Sequence, residues 1–334
     1  MTADLPAALR QAAAALLEGM SRKGLAERAA KVSAEYRRGG ASAAVIEGQD
    51  DATAYVLSRL PATYAAAAWV FAEAARRAPG FAPARLLDAG AGPGGASWAA
   101  LETWPGLRGV ALLDSSRPFL EMAARLGVAG PPALQAAVQL RADLSRPDGA
   151  WPRADLVVAS YALAEIAPPR QPAAVQALWD VCDGVLALVE PGTPAGFARI
   201  VAARQALIAA GADLLAPCPH AGDCPLAGPQ AAAFAPPGWC HFSVRLPRSR
   251  DHRLAKGAQV PFEDEKFAYL LAARPGLAAG AAPARVLAPP KVAKPGLELA
   301  LCGPQGLARR MVLKRDKGAY AAHRRLRWGD AAPD

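Results

Sequence analysis

The amino-terminal part of the chain carries apolar residues at helical spacing. Alanine-rich stretches repeat this spacing from Leu5 to about Arg77, interrupted by Gly39-Gly40 and by Pro61. A period of this kind predicts several amphipathic helices. We therefore expect residues 1–80 to form a helical amino-terminal cap.

The pattern changes at Ala84 to short apolar runs that end in turn residues, with helix-length segments between them. Strands are predicted at Arg85–Asp88, Val110–Asp114, Leu140–Asp143, Leu156–Ala159 and Val185–Glu190. Alternating strands and helices indicate an α/β fold with a doubly wound, Rossmann-like sheet, whose ligand lies at the carboxyl ends of the strands. We assign residues 81–215 to this domain.

Beyond Pro217 the helical spacing fades, and short strands separated by Gly and Pro take its place. The predicted elements are strands at Trp239–Leu246, Lys266–Ala272, Ala284–Ala288, Leu297–Cys302 and Arg309–Leu313, and a basic helix at Tyr320–Trp328. Residues 216–334 are therefore expected to form a β-rich carboxyl-terminal lobe, with a loop at Leu277–Pro290.

The sharpest motif is a glycine loop that follows the first predicted strand, Asp88-Ala89-Gly90-Ala91-Gly92-Pro93-Gly94-Gly95. Glycines let the backbone approach a ligand closely, and the next helix offers free N–H groups at its start. Gly90, Ala91, Gly92 and Gly94 are the predicted contacts. Enzymes that use S-adenosylmethionine and enzymes that use dinucleotides share this pattern, so the glycines alone do not decide between them.

Acidic residues at the strand ends favour S-adenosylmethionine. Asp88 is placed to face the methionine ammonium, Asp114 to accept both ribose hydroxyls, and Asp143 to accept from the adenine amino group. Ser160 borders the same site. Carboxylates without a basic residue suit a cationic sulfonium better than a diphosphate. Strand-end capping by Asp114 and Asp143, a dinucleotide site and a loop without a ligand are the alternatives.

Residues for methyl transfer itself are not evident. The fourth strand ends in Ser160-Tyr161-Ala162, followed by Glu165, without an Asn/Asp-Pro-Pro-Tyr loop or a Pro-Cys nucleophile. Because methyl transfer mainly requires an aligned nucleophile, the catalytic residues stay unknown. Tyr161 is either a packing aromatic or a substrate platform. Glu190 is either a cleft carboxylate or part of a helix cap.

The cysteines indicate a metal site, since Cys218, Cys224 and Cys240 fall within 23 residues and Cys302 follows much later in a predicted strand. Three of them lie in a Pro- and Gly-rich stretch that needs a source of order, and metal ligation supplies one. The Cys-x2-4-Cys knuckles typical of zinc are absent, whereas iron-sulfur clusters accept irregular spacing. Zinc and purely structural thiols are the alternatives. His220 and His241 are interpreted as neighbours of the site and Cys182 as a core residue.

Charge is concentrated at the carboxyl end. Residues 241–334 contain 18 basic and 8 acidic residues, a net charge of +10. The whole chain has a net charge of +9, so the rest of the chain is close to neutral. A segment of this kind attracts polyanions such as nucleic acid, although a solvated basic surface is the simpler reading. No apolar run predicts a membrane span, and no signal or transit peptide is recognised, so we expect a cytosolic protein.

Several motifs resemble the methyltransferase-like family that assists mitochondrial small-ribosomal-subunit assembly, together with its bacterial relatives. They are Leu87–Gly94, Val189–Phe197, Cys218–Pro225, Trp239–Phe242 and Phe262–Phe267. The resemblance implies a class I methyltransferase fold, S-adenosylmethionine, a four-iron four-sulfur (4Fe-4S) cluster and docking on small-subunit ribosomal RNA. By position it implies Cys218, Cys224, Cys240 and Cys302 as cluster ligands.

We therefore expect a methyltransferase-like protein, a monomer of the bacterial cytoplasm, that acts on small-subunit ribosomal RNA or in small-subunit assembly through its basic lobe. A non-catalytic assembly factor, which keeps cofactor and cluster for structure or sensing, is the alternative. An oxidoreductase that pairs a dinucleotide with an electron-transfer cluster is a third hypothesis.

Overall fold

A computed structural model of the chain describes residues 4–38, 45–228, 231, 238–278 and 284–333. Its amino-terminal helices are α1 (Ala7–Ala15), α2 (Arg22–Arg38), α3 (Gln49–Ser58) and α4 (Leu60–Arg77). Pro61 does not break the helical segment, because it occupies the first turn of α4, where a missing backbone N–H costs nothing. The predicted helical character of this region is confirmed.

The central sheet is built from β1 (Arg85–Ala89), β2 (Gly109–Asp114), β3 (Val138–Arg141), β4 (Ala154–Ser160), β5 (Cys182–Pro191), β6 (Asp213–Ala216), β7 (Phe242–Pro247) and β8 (Phe262–Ala273). Its strand order is β3-β2-β1-β4-β5-β8-β6, with β7 also paired to β8. Strands β1 to β5 pair in parallel, and β8 is antiparallel to its neighbours. The order reverses between β1 and β4, as in doubly wound folds. The chain thus has the predicted doubly wound, Rossmann-like fold.

Helices cover both faces of this sheet: α5 (Gly95–Thr103), α6 (Arg117–Gly127), α7 (Pro132–Gln135), α8 (Gln171–Asp180) and α9 (Pro194–Ala209). Alternate strand residues separate into two apolar cores. Leu86 and Val158 pack with α3 to α6, whereas Leu87 and Val157 pack with α8 and α9. Burial on both faces explains why the strands are almost continuously apolar.

Strands β7 and β8 differ from the expectation that they belong to the carboxyl-terminal lobe. Both lie in the central sheet. Strand β8 pairs with β5 along seven positions, from Val185 opposite Ala273 to Pro191 opposite Phe267. Residues 267–273 of β8 are all buried. A sequence pattern shows that such a strand is internal, but it does not show which sheet accepts it. Cys182 begins β5 and is buried, as predicted for a core residue.

A second, antiparallel sheet contains β9 (Ala284–Val286), β10 (Lys291–Val292), β11 (Gly296–Gly303), β12 (Gly306–Leu313) and β13 (Ala331–Ala332). Two further helices are α10 (Arg250–Lys256) and α11 (Lys317–His323). Helix α11 begins earlier than the predicted Tyr320 because Asp316 caps it, accepting the Ala319 N–H at 3.1 Å. None of the helices in the described segments has the length and apolar character needed to cross a membrane.

The second sheet is joined to the rest of the protein through Arg285 of β9, which is only 1% exposed. Its guanidinium donates to Glu73 Oε1 of α4 at 2.7 Å, to the Gly329 carbonyl at 2.8 Å and to the Pro217 carbonyl at 3.3 Å. A buried charge is tolerated only when it is paired and hydrogen-bonded. Arg285 therefore fixes the second sheet against the helical cap and the start of the cysteine segment.

Replacing Arg285 by methionine should destabilise the protein by about 3–5 kcal/mol, because the Glu73 carboxylate and two carbonyls lose their buried donor. Urea denaturation followed by circular dichroism measures this loss. Burial is the largest single effect on the pKa of Glu73 and raises it, but Arg285 and Arg76 together outweigh burial and lower this pKa below its usual value. The advantage of the wild type should therefore be present above the ordinary glutamate pKa and decline as the pH falls through the lowered one.

Arg117→Met is the matched control, since Arg117 forms an exposed pair with Glu121 on one helix. It should cost about 0.5 kcal/mol or less. Equal losses in the two variants would contradict the central role assigned to Arg285.

Candidate functional site

A cavity of about 470 Å³ lies at the carboxyl ends of the parallel strands. This volume lies within the usual range of small-molecule sites. Five of the predicted cofactor contacts line the cavity: Gly90, Gly92, Asp114, Asp143 and Ser160. Tyr55 of α3 and Phe119 of α6 also line it, and their rings meet edge to face with centroids 4.8 Å apart. The helical cap thus forms part of the site, which the sequence pattern did not indicate.

The glycines shape one wall of the cavity. Gly90 has φ +72°, and a Cβ at this position would lie 2.5 Å from the Cβ of Ala162. Gly92 has φ +53°, and its N–H donates to Asp114 Oδ2 at 2.8 Å. The left-handed backbone and the lack of space together require glycine at position 90. Ala91 and Gly94 are not among the residues that line the cavity, and Gly94 precedes α5 as its N-cap.

Asp88 lies behind the glycine loop rather than in the cavity, contrary to the expected contact with a methionine ammonium. Its Oδ2 accepts from the Ser97 backbone N–H at 3.0 Å and from the Ser97 hydroxyl at 2.7 Å. Burial raises the pKa of Asp88 to about 6, although the Ser97 hydrogen bonds oppose this effect. In this structure the carboxylate ties β1 to α5, and the strand-end pattern of acids did not reveal that orientation.

Asp114, Asp143 and Ser160 supply the polar atoms of the cavity. Asp114 accepts backbone N–H groups from Gly92 and Ser116, both at 2.8 Å, and Asp143 accepts from Ser145 at 2.8 Å. Each carboxylate oxygen retains a second acceptor position for a ligand hydroxyl or amino group. The buried Ser160 Oγ has no hydrogen-bond partner in the described structure. A ligand with a polar edge would satisfy it and remove a cost of about 1–3 kcal/mol.

Tyr161 closes the end of the cavity that follows β4. It adopts a left-handed backbone with φ +61°, and its hydroxyl donates to Glu265 Oε1 of β8 at 2.7 Å. Arg59 lies 3.5 Å from the same carboxylate oxygen and 5.9 Å from the Tyr161 ring centroid. Strained backbone of this kind is maintained only by surrounding contacts and concentrates at functional sites. Tyr161 is thus a packed, hydrogen-bonded residue that also lines the cavity.

Glu190 does not line this cavity. Its side chain is fully buried, and Oε2 accepts from Arg199 Nε at 2.6 Å. Burial raises the pKa of Glu190 to about 7, against the effect of Arg199. The cap of α9 is Thr193, whose hydroxyl accepts the Gly196 N–H at 3.1 Å. The helix-cap reading of the run from Glu190 to Thr193 is thus confirmed through Thr193, whereas the reading of Glu190 as a cleft carboxylate is wrong. Glu265 and Arg59 were missed, although Glu265 lies within the Phe262–Phe267 motif.

The four cysteines predicted as metal ligands line a second cavity, of about 40 Å³. They reach it from distant parts of the chain: Cys218 and Cys224 follow β6, Cys240 precedes β7, and Cys302 lies on β11. Cys182 is not part of it. The described residues contain no group of three or more His, Cys, Asp or Glu side chains arranged to hold one metal ion. The cavity therefore brings the thiols together without showing a metal site.

The thiols of Cys218, Cys240 and Cys302 hold their protons more strongly than free cysteines, because their pKa values are raised. Burial raises the pKa of Cys240 well above its usual value and that of Cys302 to about 12, and the neighbouring thiols add to the shift. Burial also raises the pKa of Cys218, whereas the charge of Arg204 lowers it. Any metal bound here must displace these protons.

The two histidines near the cysteines do not line the cavity. His241 packs between Trp239 and Trp328, with ring centroids 5.3 Å and 4.8 Å apart, and its Nδ1 lies 3.1 Å from the Trp239 carbonyl. The His220 carbonyl accepts from Arg204 at 2.7 Å. Both residues are neighbours of the cysteines in this structure.

The doubly wound sheet and the cavity at its strand ends define a Rossmann-like α/β protein with a small-molecule site. Residues 49–333 match the family model described as mitochondrial small ribosomal subunit Rsm22, and the chain belongs to this family. The resemblance drawn from the motifs is thereby confirmed.

A human relative is the mitochondrial ribosome assembly protein METTL17, which is 29% identical over 304 residues. The alignment covers 84% of this chain and 62% of the human protein, so the chain spans less than two thirds of that relative.

Two solved structures give weaker matches. One is a putative RNA methyltransferase from Pyrococcus horikoshii, with 13% identity and a TM-score of 0.38, covering 63% of this chain and 81% of that one. The other is a magnesium protoporphyrin IX methyltransferase from Synechocystis with bound S-adenosylmethionine, with 15% identity and a TM-score of 0.39, covering 64% and 80%. The family assignment rests on the sequence match and not on these structures.

Proposed function

We propose that this protein binds S-adenosylmethionine at the strand ends, carries a 4Fe-4S cluster on four cysteines, and serves the assembly of the small ribosomal subunit by contacting its ribosomal RNA. The observation that carries the proposal is the convergence of two predicted residue sets on two separate cavities. Membership of the Rsm22 family and the name of the human relative support the ribosomal part.

The cofactor proposal depends on the acidic character of the larger cavity. Asp114 is positioned for the ribose hydroxyls, Asp143 for the adenine amino group, and Ser160 for a further polar group. The backbone of Gly90 and Gly92 allows close approach of the ligand. When bound, S-adenosylmethionine supplies an activated methyl group, while these residues only bind and orient it.

Asp114→Asn should weaken binding of S-adenosylhomocysteine by about ten- to a hundredfold, because it removes the charge from hydrogen bonds to the ribose. Isothermal titration calorimetry measures the affinity. Ser160→Ala should cause a smaller loss, about threefold or more, without disturbing the loop. Asp148→Asn changes an exposed acid outside the cavity and serves as the control.

A chain that binds NAD more tightly than S-adenosylhomocysteine would overturn the cofactor assignment. It would also revive the oxidoreductase hypothesis.

The cluster proposal depends on the donor set of the smaller cavity. Four cysteines line it, and none of the other described residues lining it is acidic. Thiolates without carboxylates suit an iron-sulfur cluster or zinc. The thiols reach one place from four chain positions, as cluster ligation by irregularly spaced cysteines requires. Zinc remains the alternative metal.

Purified without oxygen, the protein should be brown and contain about four irons per chain, as expected for one 4Fe-4S cluster. Cys224→Ser and Cys302→Ser should each lose most of this iron, because each removes one thiolate. Cys182→Ser removes a buried cysteine outside the cavity and should retain it. Iron and acid-labile sulfide assays provide the measurement, and a colourless protein with stoichiometric zinc would disprove the cluster.

The RNA proposal depends on exposed basic side chains around α11. They are Lys314, Arg315, Lys317, Arg324, Arg325 and Arg327. The only acidic residue of the segment 314–327 is Asp316, whose carboxylate caps α11. A basic surface of this density attracts phosphates independently of base sequence.

Replacing Arg315, Arg324 and Arg325 together by serine should weaken binding to small-subunit ribosomal RNA and lower the salt dependence by about one unit of slope per lost phosphate contact. Arg125→Ser removes an exposed charge from α6 and should have no such effect. Filter binding across a salt series measures both quantities. An unchanged slope in the triple variant would place the RNA surface elsewhere.

A non-catalytic role in assembly is the second candidate, and one observation favours it. Tyr161, which follows β4 and lines the cavity, is already paired, since its hydroxyl donates to Glu265. Burial also raises the pKa of Tyr161 well above its ordinary value, so its hydroxyl stays protonated. If Asp114→Asn abolishes cofactor binding but still supports ribosome assembly in cells, the bound cofactor serves structure rather than methyl transfer.

A further inference from the structure

The cysteine cavity contains two buried hydrogen-bond donors that lack acceptors. Arg204 of α9 is 2% exposed and Tyr269 of β8 is 1% exposed, and both line the cavity. Arg204 Nε and the Tyr269 hydroxyl have no hydrogen-bond partner in the described structure. A buried polar group left in this state costs about 1–3 kcal/mol, so two in one cavity require an explanation.

Arg204 presents the stronger case because it also carries a charge. Its Nη2 donates to the His220 carbonyl at 2.7 Å and to the Gly222 carbonyl at 2.6 Å, both in the segment between Cys218 and Cys224. No carboxylate within the described residues pairs with it. Carbonyl groups do not neutralise a buried guanidinium, which ordinarily requires an anion.

The second arginine that lines the cavity, Arg285, does not provide the anion that Arg204 lacks. Arg285 is itself a cation, and its charge is balanced by Glu73 at 2.7 Å. This leaves Arg204 as a buried cation for which the described lining residues provide no carboxylate partner. The cavity is therefore complementary to an anionic group that accepts hydrogen bonds.

We infer that Arg204 and Tyr269 are positioning residues of the metal site, which donate hydrogen bonds from Nε and from the phenol hydroxyl to the sulfur atoms of the anionic group held by the four cysteines. This inference rests on the proposed cluster. Deprotonated thiolates and inorganic sulfides provide both the negative charge and the acceptors that the two donors lack.

The assigned role has a measurable consequence. Hydrogen bonds to sulfur and a nearby positive charge stabilise the more negative, reduced form of an iron-sulfur cluster and so raise its reduction potential. Arg204 as a mere clamp of the loop 218–224 would have no such effect. Arg274 provides the comparison, because it donates to the Cys182 and Trp179 carbonyls, both at 2.8 Å, outside the cavity.

The test is an anaerobic redox titration of the full-length protein, followed by electron paramagnetic resonance of the reduced cluster. Tyr269→Phe and Arg204→Gln should each lower the reduced-to-oxidised ratio at a fixed potential by about three- to tenfold, the effect of one hydrogen bond. Tyr64→Phe removes a buried phenol hydroxyl on α4, and Arg274→Gln removes a carbonyl clamp. Both controls should leave the ratio unchanged.

A second readout does not depend on the potential. Electron paramagnetic resonance of the reduced wild-type cluster in deuterated buffer should show magnetic coupling between the cluster and exchangeable deuterons. The Tyr269→Phe variant should lose the part of this coupling that comes from the phenol hydroxyl. If Arg204→Gln loses its iron altogether, the redox titration of Tyr269→Phe alone tests the inferred hydrogen bonds to the cluster.

Two failures are distinguishable. A wild type without iron would overturn the proposed cluster and this inference together. A wild type with four irons, whose potential and deuteron coupling survive in both variants, would overturn the inference alone and leave the cluster in place.

Discussion

The buried guanidinium of Arg285 is the interaction on which the arrangement of this protein depends. A charge that is 1% exposed must find its partners inside the protein, and it finds them on α4, at Pro217 and at Gly329. These groups lie far apart in the sequence. Their convergence fixes the second sheet and the start of the cysteine segment against the helical cap. The same side chain lines the cysteine cavity, so one electrostatic contact links folding to the proposed metal site.

Strand β8 connects the two cavities in a second way. It inserts antiparallel beside β5, and its residues Glu265 and Tyr269 lie on one face of the strand because they are four positions apart. Glu265 accepts from Tyr161 at the larger cavity, whereas Tyr269 lines the smaller one. The backbone rise fixes their separation along the strand at about 13 Å. A rigid, fully paired strand thus sets the distance between the proposed cofactor and cluster sites.

Much of the site was foreseeable because its chemistry is local in the sequence. The glycine loop, Asp114, Asp143 and Ser160 all follow predicted strands, and parallel strands bring their carboxyl ends to one edge. Asp88 follows the same pattern, yet its side chain turns to Ser97 behind the loop. Tyr55, which lines the cavity, and Glu265 and Arg59, which contact Tyr161, were not identified, since they come from elements distant in the chain. Spacing alone does not encode which way a side chain points or which remote element covers it.

Periodicity, turn chemistry and charge are properties of neighbouring residues, so the alternation of strands and helices, the glycine loop, the unusual cysteines and the basic carboxyl end could be read from the sequence alone. The folded chain was needed to show that β7 and β8 complete the central sheet and that Arg204 and Tyr269 lie beside the four thiols. Those outcomes depend on which buried surfaces and charges pair across the fold, and pairing between distant residues leaves no local pattern.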